Sequence, residues 1–509
     1  MSRVLTYSIH PFLLAISFAL FLYTHNIDQI SYDVAYDVIL LPILFLLFLT
    51  LAVFLISRFI VRDHLKAGII SSIIMVFLLY YGVVYEIIKG WQLFDVVIGR
   101  QRVLMPVWII LAFSGIYLTV KTKKQLSALT AILNIFTIIF ILTSIVNMAV
   151  YEFRPSDFKP EYIAPEFKDK EGHALPDIYY IIPDAYAGAD ILRKYFNYNN
   201  DEFLSYLENK GFAIAEKSRS NYGTTILSFG STLNGRYLDD LIGYQDPDET
   251  DWKWAKEAMD KNTATLFLRE KGYQIIQFRL GPIPLIDVDM EFGRTYYNEY
   301  GRLLINSTIL RAVRDRQNFI SYYLVLKMRE NFVQTFEELD EIPTLDVGKP
   351  KFVYFHIPSP HFPYLFGQNG ENVGAKFINN EPIDPKKEKE LYLGQLIFLN
   401  GYLKQAIDSI LSKSSRPPII IIQSDHGFHS PYEKGFDDSA AKVKNFSAYY
   451  LPGKPKSVLP QDMSPVNTFR FIFDQYFGTT LGLLENKSFG FDGEHPYLYL
   501  DIPSSSIRF

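Results

Sequence analysis

The chain has 509 residues, a length that allows about three domains. Apolar residues make up 49%, aromatics 16% and charged residues 21%, which suits a large buried core and excludes a disordered or low-complexity protein. The net charge is -5 and there is no Cys. No basic field recruits nucleic acid, and disulfides, zinc-thiolate sites, Cys nucleophiles and enzymes that mature a cysteine into a catalytic group are all ruled out.

The N-terminal part carries five apolar runs at 8–23, 38–56, 67–88, 103–120 and 126–150. Each approaches the roughly 20 residues that cross a hydrocarbon core. The first run lacks a nearby small-residue cleavage site and reads as an anchor rather than a signal peptide. The expectation is a transmembrane domain of five helices over residues 1–150. Basic loop residues orient it. Arg3, Arg58, Arg62, Lys66, Lys121, Lys123 and Lys124 fall on one side; Lys89, Arg100 and Arg102 fall on the other. This asymmetry places the N-terminus in the cytoplasm and, after five spans, everything beyond residue 150 outside. The protein is expected in the plasma (inner) membrane.

Residues 151–176 read as a linker, with prolines and charges concentrated in RPSDFKPEYIAPEFKDKEGHALP (154–176). From 177 to 509 short β-rich runs alternate with amphipathic helices. DIYYII (177–182), QIIQF (274–278), KFVYFHI (351–357) and PIIIIQ (418–423) read as strands, the last on four consecutive β-branched residues. TATLFLREKGY (263–273) reads as a helix ending at Gly272. Tyr392, Leu396, Leu399, Leu403, Ile407 and Ile410 have helical spacing. The alternation predicts an α/β domain with a mainly parallel central sheet and helices on both faces.

Ligands of open α/β sheets bind beyond the carboxyl ends of the strands. Three strand ends here carry ligand types: Pro183-Asp184; Pro358, Ser359, Pro360 and His361; and Ser424, Asp425, His426 and Gly427. The Asp-His pair at 425–426 can turn both side chains toward one divalent cation, with Gly427 letting the backbone bend behind them. The segment SNYGTTILSFGSTLNGRY (220–237) looks like a helix N-terminus that begins with hydroxyls. Such an end favours substrate phosphate, and a metal on the same oxygen favours a nucleophilic alkoxide. A plain N-cap Thr is the competing reading.

On these residues the region from about 176 to 480 resembles the alkaline phosphatase/sulfatase superfamily. The sulfatase motif Cys/Ser-x-Pro-Ser-Arg, followed by Leu-Thr-Gly, falls with its nucleophile on Thr225, its Ser on Ser228 and its Leu-Thr-Gly on Leu233, Asn234 and Gly235. Leu227 and Phe229 replace the motif's Pro and Arg, and formylglycine cannot be made from Thr. A Thr nucleophile resembles the membrane-bound phosphotransferase branch, with its lipoteichoic acid synthases and lipid A phosphoethanolamine transferases.

The resemblance implies that Asp184, Thr225, Asp425 and His426 hold one divalent metal, zinc or manganese. It makes Thr225 the nucleophile, with Thr224 the rival. His361 would bind the transferred phosphoryl group or protonate the leaving alcohol, and Asn234 and Arg236 are candidate phosphate contacts, with a helix-facing structural role as the competing reading. A second metal has less support; His429 is a candidate substrate or second-site ligand. His356, inside a strand run, reads as a packed core histidine, and His495 as a residue without chemistry. The implied reaction moves a phosphorylated head group, phosphoethanolamine or phosphoglycerol, from a phospholipid donor to an envelope glycan or lipid acceptor through a phospho-threonine. A membrane-anchored phosphodiesterase or phosphatase using water, and a non-catalytic envelope binding protein, are the alternatives. Specificity is expected in loops 281–305 and 365–385, with Tyr296, Tyr297 and Tyr300 as candidate pocket walls and packing as the competing, commoner use.

Overall fold

The computed structural model describes the chain except residues 1–6, 28–35, 94–95, 154–174, 243–248, 281–285, 295–298, 317–318, 375–382, 431–438, 491–494 and 504–509. It divides into two units. One comprises Met1–Pro155 and Tyr297–Ile320; the other comprises Ser156–Tyr296 and Ser321–Phe509.

All five apolar runs of the first unit are helical: α1 (His10–Thr24), α2 (Tyr36–Val61), α3 (His64–Leu79) with α4 (Tyr81–Ile88), α5 (Gln101–Lys121) and α6 (Ser127–Glu152). The expectation of five spans needs correction. Among the described residues, three helices, Ile39–Val61, Gln101–Lys121 and Ser127–Glu152, are long and apolar enough to cross a membrane. The third run instead breaks at Tyr80, where α3 and α4 meet at 48°, and the pair counts as a fourth span only if taken together. Helix α1 has 15 residues, about 22 Å at 1.5 Å per residue, against a core of roughly 30 Å. The long helices turn large apolar side chains outward, with Phe59 84% and Phe48 71% exposed. Water penalises such a surface and lipid does not; this unit is a membrane domain.

Polar bonds tie these helices internally. Asn134 accepts from the His10 amide at 2.8 Å and donates to the Tyr7 carbonyl at 2.8 Å, and Trp108 Nε1 donates to the Phe77 carbonyl at 2.8 Å. The helix Glu299–Ser307 belongs to this unit. Gly82 permits its approach, since a Cβ there would lie 1.9 Å from the Asn306 carbonyl oxygen.

The second unit is built on a seven-stranded sheet. Its strands are β1 (Ile178–Pro183), β2 (Ala213–Ile214), β3 (Gln274–Leu280), β4 (Met290–Arg294), β5 (Lys351–Ile357), β6 (Ile419–Gln423) and β7 (Ser447–Tyr450), in the spatial order β2-β7-β6-β1-β5-β3-β4. Strands β6, β1, β5, β3 and β4 run parallel, while β7 is antiparallel to both β6 and β2. The expected mainly parallel sheet is what forms.

Every residue of β1, β5 and β6 is buried, as a sheet covered on both faces requires. The period of two sorts them. Tyr179 and Ile181 join one apolar cluster with Leu396, Leu399 and Leu403 of α8 (Pro385–Lys413). Ile178, Tyr180 and Ile182 join the other with Phe229, Phe267 and Phe469. Truncating one such Ile to Ala would cost about 2–5 kcal/mol. The predicted helix at 263–273 spans Thr263–Glu270 and stops at Gly272, whose φ of +84° suits glycine. Between β2 and β3, helix α7 (Thr225–Asn234) ends on Gly235, also left-handed at φ +59°.

Candidate active site

The register brings three strand ends level. Ile182 of β1 lies opposite His356 of β5, and Ile181 opposite Ile422 of β6. Asp184 leaves the end of β1, with its amide held by the Ile357 carbonyl at 2.9 Å. Asp425 and His426 leave the end of β6, and His361 follows β5, its amide donating to the Asp184 carbonyl at 3.2 Å.

These side chains converge. His426 Nε2 is 3.4 Å from Asp184 Oδ1 and 3.5 Å from Asp425 Oδ2. His426 Nδ1 lies 2.8 Å from the Gly427 carbonyl, a contact that leaves Nε2 facing the carboxylates. His361 Nδ1 likewise lies 2.5 Å from its neighbour's carbonyl, that of Phe362. Donor atoms of Asp184, His361 and His426 all lie within 4.8 Å of one another, and so do those of Asp184, His356 and Asp425.

Residue 356 is therefore more than a packing residue. The expected core histidine is indeed buried, its ring edge-on to Phe229 at 5.1 Å. Its Nε2 also stands 3.4 Å from Asp184 Oδ2. Among the described residues, Asp184 Oδ1, Asp425 Oδ2, His429 Nδ1 and both ring nitrogens of His356 are buried without a hydrogen-bond partner. Orphaned lone pairs of this kind are costly in a protein interior, and a cluster of carboxylate oxygens and imidazole nitrogens is the donor set of a divalent cation.

Burial opposes the charge on Asp184, but the imidazoles of His361, His356 and His426 outweigh it and hold the carboxyl well below its ordinary range. Burial also opposes charge on His426; Asp425, Asp184 and the Gly427 carbonyl together push its pKa up. The ring of His429 lies 5.5 Å from that of His361 and 5.8 Å from that of His426. Burial first, and then those two neighbours, push it down to about 3, so it is neutral at physiological pH.

Thr225 is the first residue of α7 and Thr224 its N-cap, with no side-chain capping bond. The buried Thr224 hydroxyl has no hydrogen-bond partner. One turn on, Ser228 Oγ donates to the Asp425 carbonyl at 2.7 Å. Residues three apart share a helix face, so Thr225 lies on the face that Ser228 docks against the 425–426 loop. The backbone bends at Asp425 and His426, and Gly427 behind them is packed closely, since a Cβ there would lie 2.1 Å from the Ala441 carbonyl oxygen.

Two expected phosphate contacts lie elsewhere. Asn234, the last residue of α7, is about 14 Å along the helix from Thr225 at 1.5 Å per residue. Its amide is committed to the Gly230 and Ala258 carbonyls at 2.7 and 2.6 Å and to Thr263 at 3.0 Å. Arg236 lies beyond it and reaches the Asp240 carbonyl at 3.1 Å. Tyr300 lines no substrate pocket in the second unit. It is buried in the membrane domain with its hydroxyl on the Ala19 carbonyl at 3.0 Å. Tyr296, Tyr297 and much of the two expected specificity loops lie outside the described residues.

Several solved structures resemble the chain. The C-terminal periplasmic domain of EcEptC from Escherichia coli is 10% identical, with 68% of this chain and 97% of that one covered and a TM-score of 0.44. The integral membrane lipooligosaccharide phosphoethanolamine transferase A from Neisseria meningitidis is 11% identical over 92% and 95%, with a TM-score of 0.42. An alkaline phosphatase superfamily protein from Vibrio parahaemolyticus is 13% identical over 63% and 71%, with a TM-score of 0.39. No curated protein matches the chain. Residues 193–474, more than half of the sequence, match the family model described as Sulfatase, and the chain belongs to that family.

Proposed function

We propose that the protein is a metal-dependent transferase. It would move a phosphorylated head group, phosphoethanolamine or phosphoglycerol, from a phospholipid to an envelope glycan or lipid. The observation that carries this reading is the convergence of Asp184, His361, Asp425 and His426 from three strand ends, with unpartnered donor atoms, beside a helix that opens on Thr225. Family membership agrees with chemistry on an ester of an oxoacid. The absence of Cys, with Thr at the nucleophile's place, argues for phosphorus rather than sulfur.

Asp184, Asp425, His426 and Thr225 would hold zinc or manganese, and either suits their oxygen and nitrogen donors. When bound, the cation supplies positive charge that favours loss of the Thr225 proton and offsets charge on the phosphoryl group. The remaining work falls to the chain itself. The amides of Thr225, Ile226 and Leu227 come before the first intrahelical donor, the Ser228 amide that bonds the Thr224 carbonyl, and are free to bind anionic oxygens. Thr225 Oγ1 bonds to phosphorus as the bond to the diacylglycerol oxygen breaks, and His361 gives that oxygen a proton. An acceptor hydroxyl then attacks the phospho-threonine, returns a proton to His361 and frees Thr225. His429, kept neutral, adds no positive charge that would hold the product. The membrane helices would tether this chemistry to the surface where the lipid donor resides, and the excess of basic residues in the loops of one side supports a catalytic domain outside the cytoplasm.

Mass spectrometry of the purified protein, incubated with phosphatidylethanolamine or phosphatidylglycerol, tests this directly. A covalent adduct on the 220–237 peptide is expected, and its mass names the head group. It is expected to persist in Thr224→Ala and vanish in Thr225→Ala. An adduct that survives Thr225→Ala removes the assignment.

A further inference from the structure

We propose that Tyr392 is a positioning residue for the metal centre, acting through the backbone that carries Asp184. This rests on the reading of Asp184, Asp425 and His426 as metal ligands. The residue after Asp184 is Ala185, with φ +59°. The left-handed region costs a residue with a Cβ roughly 1–2 kcal/mol, and the turn persists only if its surroundings hold it. Tyr392, on α8, is buried and supplies that hold. Its hydroxyl donates to the Ala185 carbonyl at 2.8 Å and accepts from the Ala187 amide at 3.0 Å, so one phenol closes the turn.

The opposite side of the turn is latched to the other ligand loop. The Ala185 amide donates to Asp425 Oδ1 at 3.2 Å. The Tyr186 amide donates to Ser424 Oγ at 2.8 Å, and that hydroxyl donates to the His426 carbonyl at 2.7 Å. Asp184 and the Asp425-His426 pair therefore keep their spacing through a chain of hydrogen bonds between backbone and side-chain groups, of which Tyr392 is the member on the helix side. Without its hydroxyl, Ala185 can relax toward a right-handed conformation and carry the Asp184 carboxylate away from His426. The ring itself is held independently by Phe196 and Phe428, each 4.8 Å away between centroids. Tyr392→Phe thus removes the clamp and leaves the packing.

The experiment titrates zinc, and separately manganese, into the metal-free full chain in detergent and reads affinity by calorimetry. Orienting partners of metal ligands are typically worth 10–100-fold in affinity, and a loss of that size is expected for Tyr392→Phe. Tyr273→Phe is the comparison. It deletes a hydroxyl that donates to the Pro176 carbonyl at 2.7 Å, at the end of the sheet away from the site, and native affinity is expected. Adding Ala185→Gly to Tyr392→Phe should recover several-fold, because glycine takes the left-handed conformation without a clamp. A merely structural Tyr392 would show no such rescue. Native affinity in Tyr392→Phe, or no recovery in the double variant, overturns the proposal. Should Tyr392→Phe fail to fold, Ser424→Ala cuts the same chain from the other side, and unchanged affinity there overturns it equally. A native chain that binds neither metal is a separate outcome, seen before any variant; it overturns the metal centre and the positioning role together.

Discussion

Ser228→Ala separates the placement of Thr225, the proposed nucleophile, from the stability of the fold. The Ser228 side chain bonds α7 to the Asp-His loop, through the Asp425 carbonyl at 2.7 Å, and both residues are buried. Losing a neutral hydrogen bond costs about 1 kcal/mol, and leaving the buried carbonyl without a donor brings the total to roughly 1–3 kcal/mol. For a domain of this size that is a fall in Tm of a few degrees. The effect on the reaction should be larger. With the latch gone, the first turn of the helix can shift by a fraction of an ångström to an ångström against the ligand loop, and a misplacement of about 1 Å can cost roughly 100-fold in rate. Ser231→Ala is the matched perturbation. Ser231 is equally buried on the same helix and donates to the Arg236 carbonyl at 2.8 Å, toward the far end. Both variants should melt earlier by similar amounts. Transfer measured as adduct formation on the 220–237 peptide should fall 10-fold or more in Ser228→Ala and less than 3-fold in Ser231→Ala. Equal rates in the two variants would mean that the helix is not registered to the site through Ser228.

Three further outcomes follow from the same geometry. The pKa of His429 is depressed from 6.5 to about 3 by burial. Its contribution to stability is therefore intact above pH 6.5 and lost as the unfolded chain takes up a proton below it. At about 1.4 kcal/mol per pH unit the loss approaches roughly 4 kcal/mol near pH 3; the difference in Tm between native protein and His429→Gln, measured from pH 7 to 4, should change with pH, and a flat difference contradicts the burial argument. Asp184→Asn should abolish stabilisation by added zinc or manganese in thermal melts, while chelator lowers the Tm of native protein only. Lys351 is buried with its ammonium on the Ile342 and Leu345 carbonyls at 2.9 and 3.0 Å and 3.3 Å from Asp177 Oδ2. Lys351→Met should cost about 3–5 kcal/mol without changing metal affinity, which denaturant melts and calorimetry read separately.

Periodicity and strand-end chemistry are local properties, and where the structure depends on them the sequence was readable. The buried strands at 178–183, 351–357 and 419–423 announce themselves as unbroken apolar or β-branched runs, and Asp184, His361, Asp425 and His426 stand out because each follows such a run. What escaped was decided by partners distant in the chain. The break at Tyr80 involves no proline, and the helix that Gly82 accommodates begins more than two hundred residues later. Asn234 has the look of a phosphate contact until its amide is seen to be consumed by Gly230, Ala258 and Thr263. His356 is the instructive case. Inside KFVYFHI it is one buried residue among seven, and in a sheet covered on both faces burial alone says packing. The distinguishing fact is its height in the sheet. Register sets it opposite Ile182, two residues before Asp184, so an imidazole on the penultimate residue of β5 looks up into the carboxylates instead of down into the core. Among the described residues its ring nitrogens have no hydrogen-bond partner, but Nε2 stands 3.4 Å from Asp184 Oδ2 and helps hold that carboxyl's charge, which phenylalanine at the same place could not do.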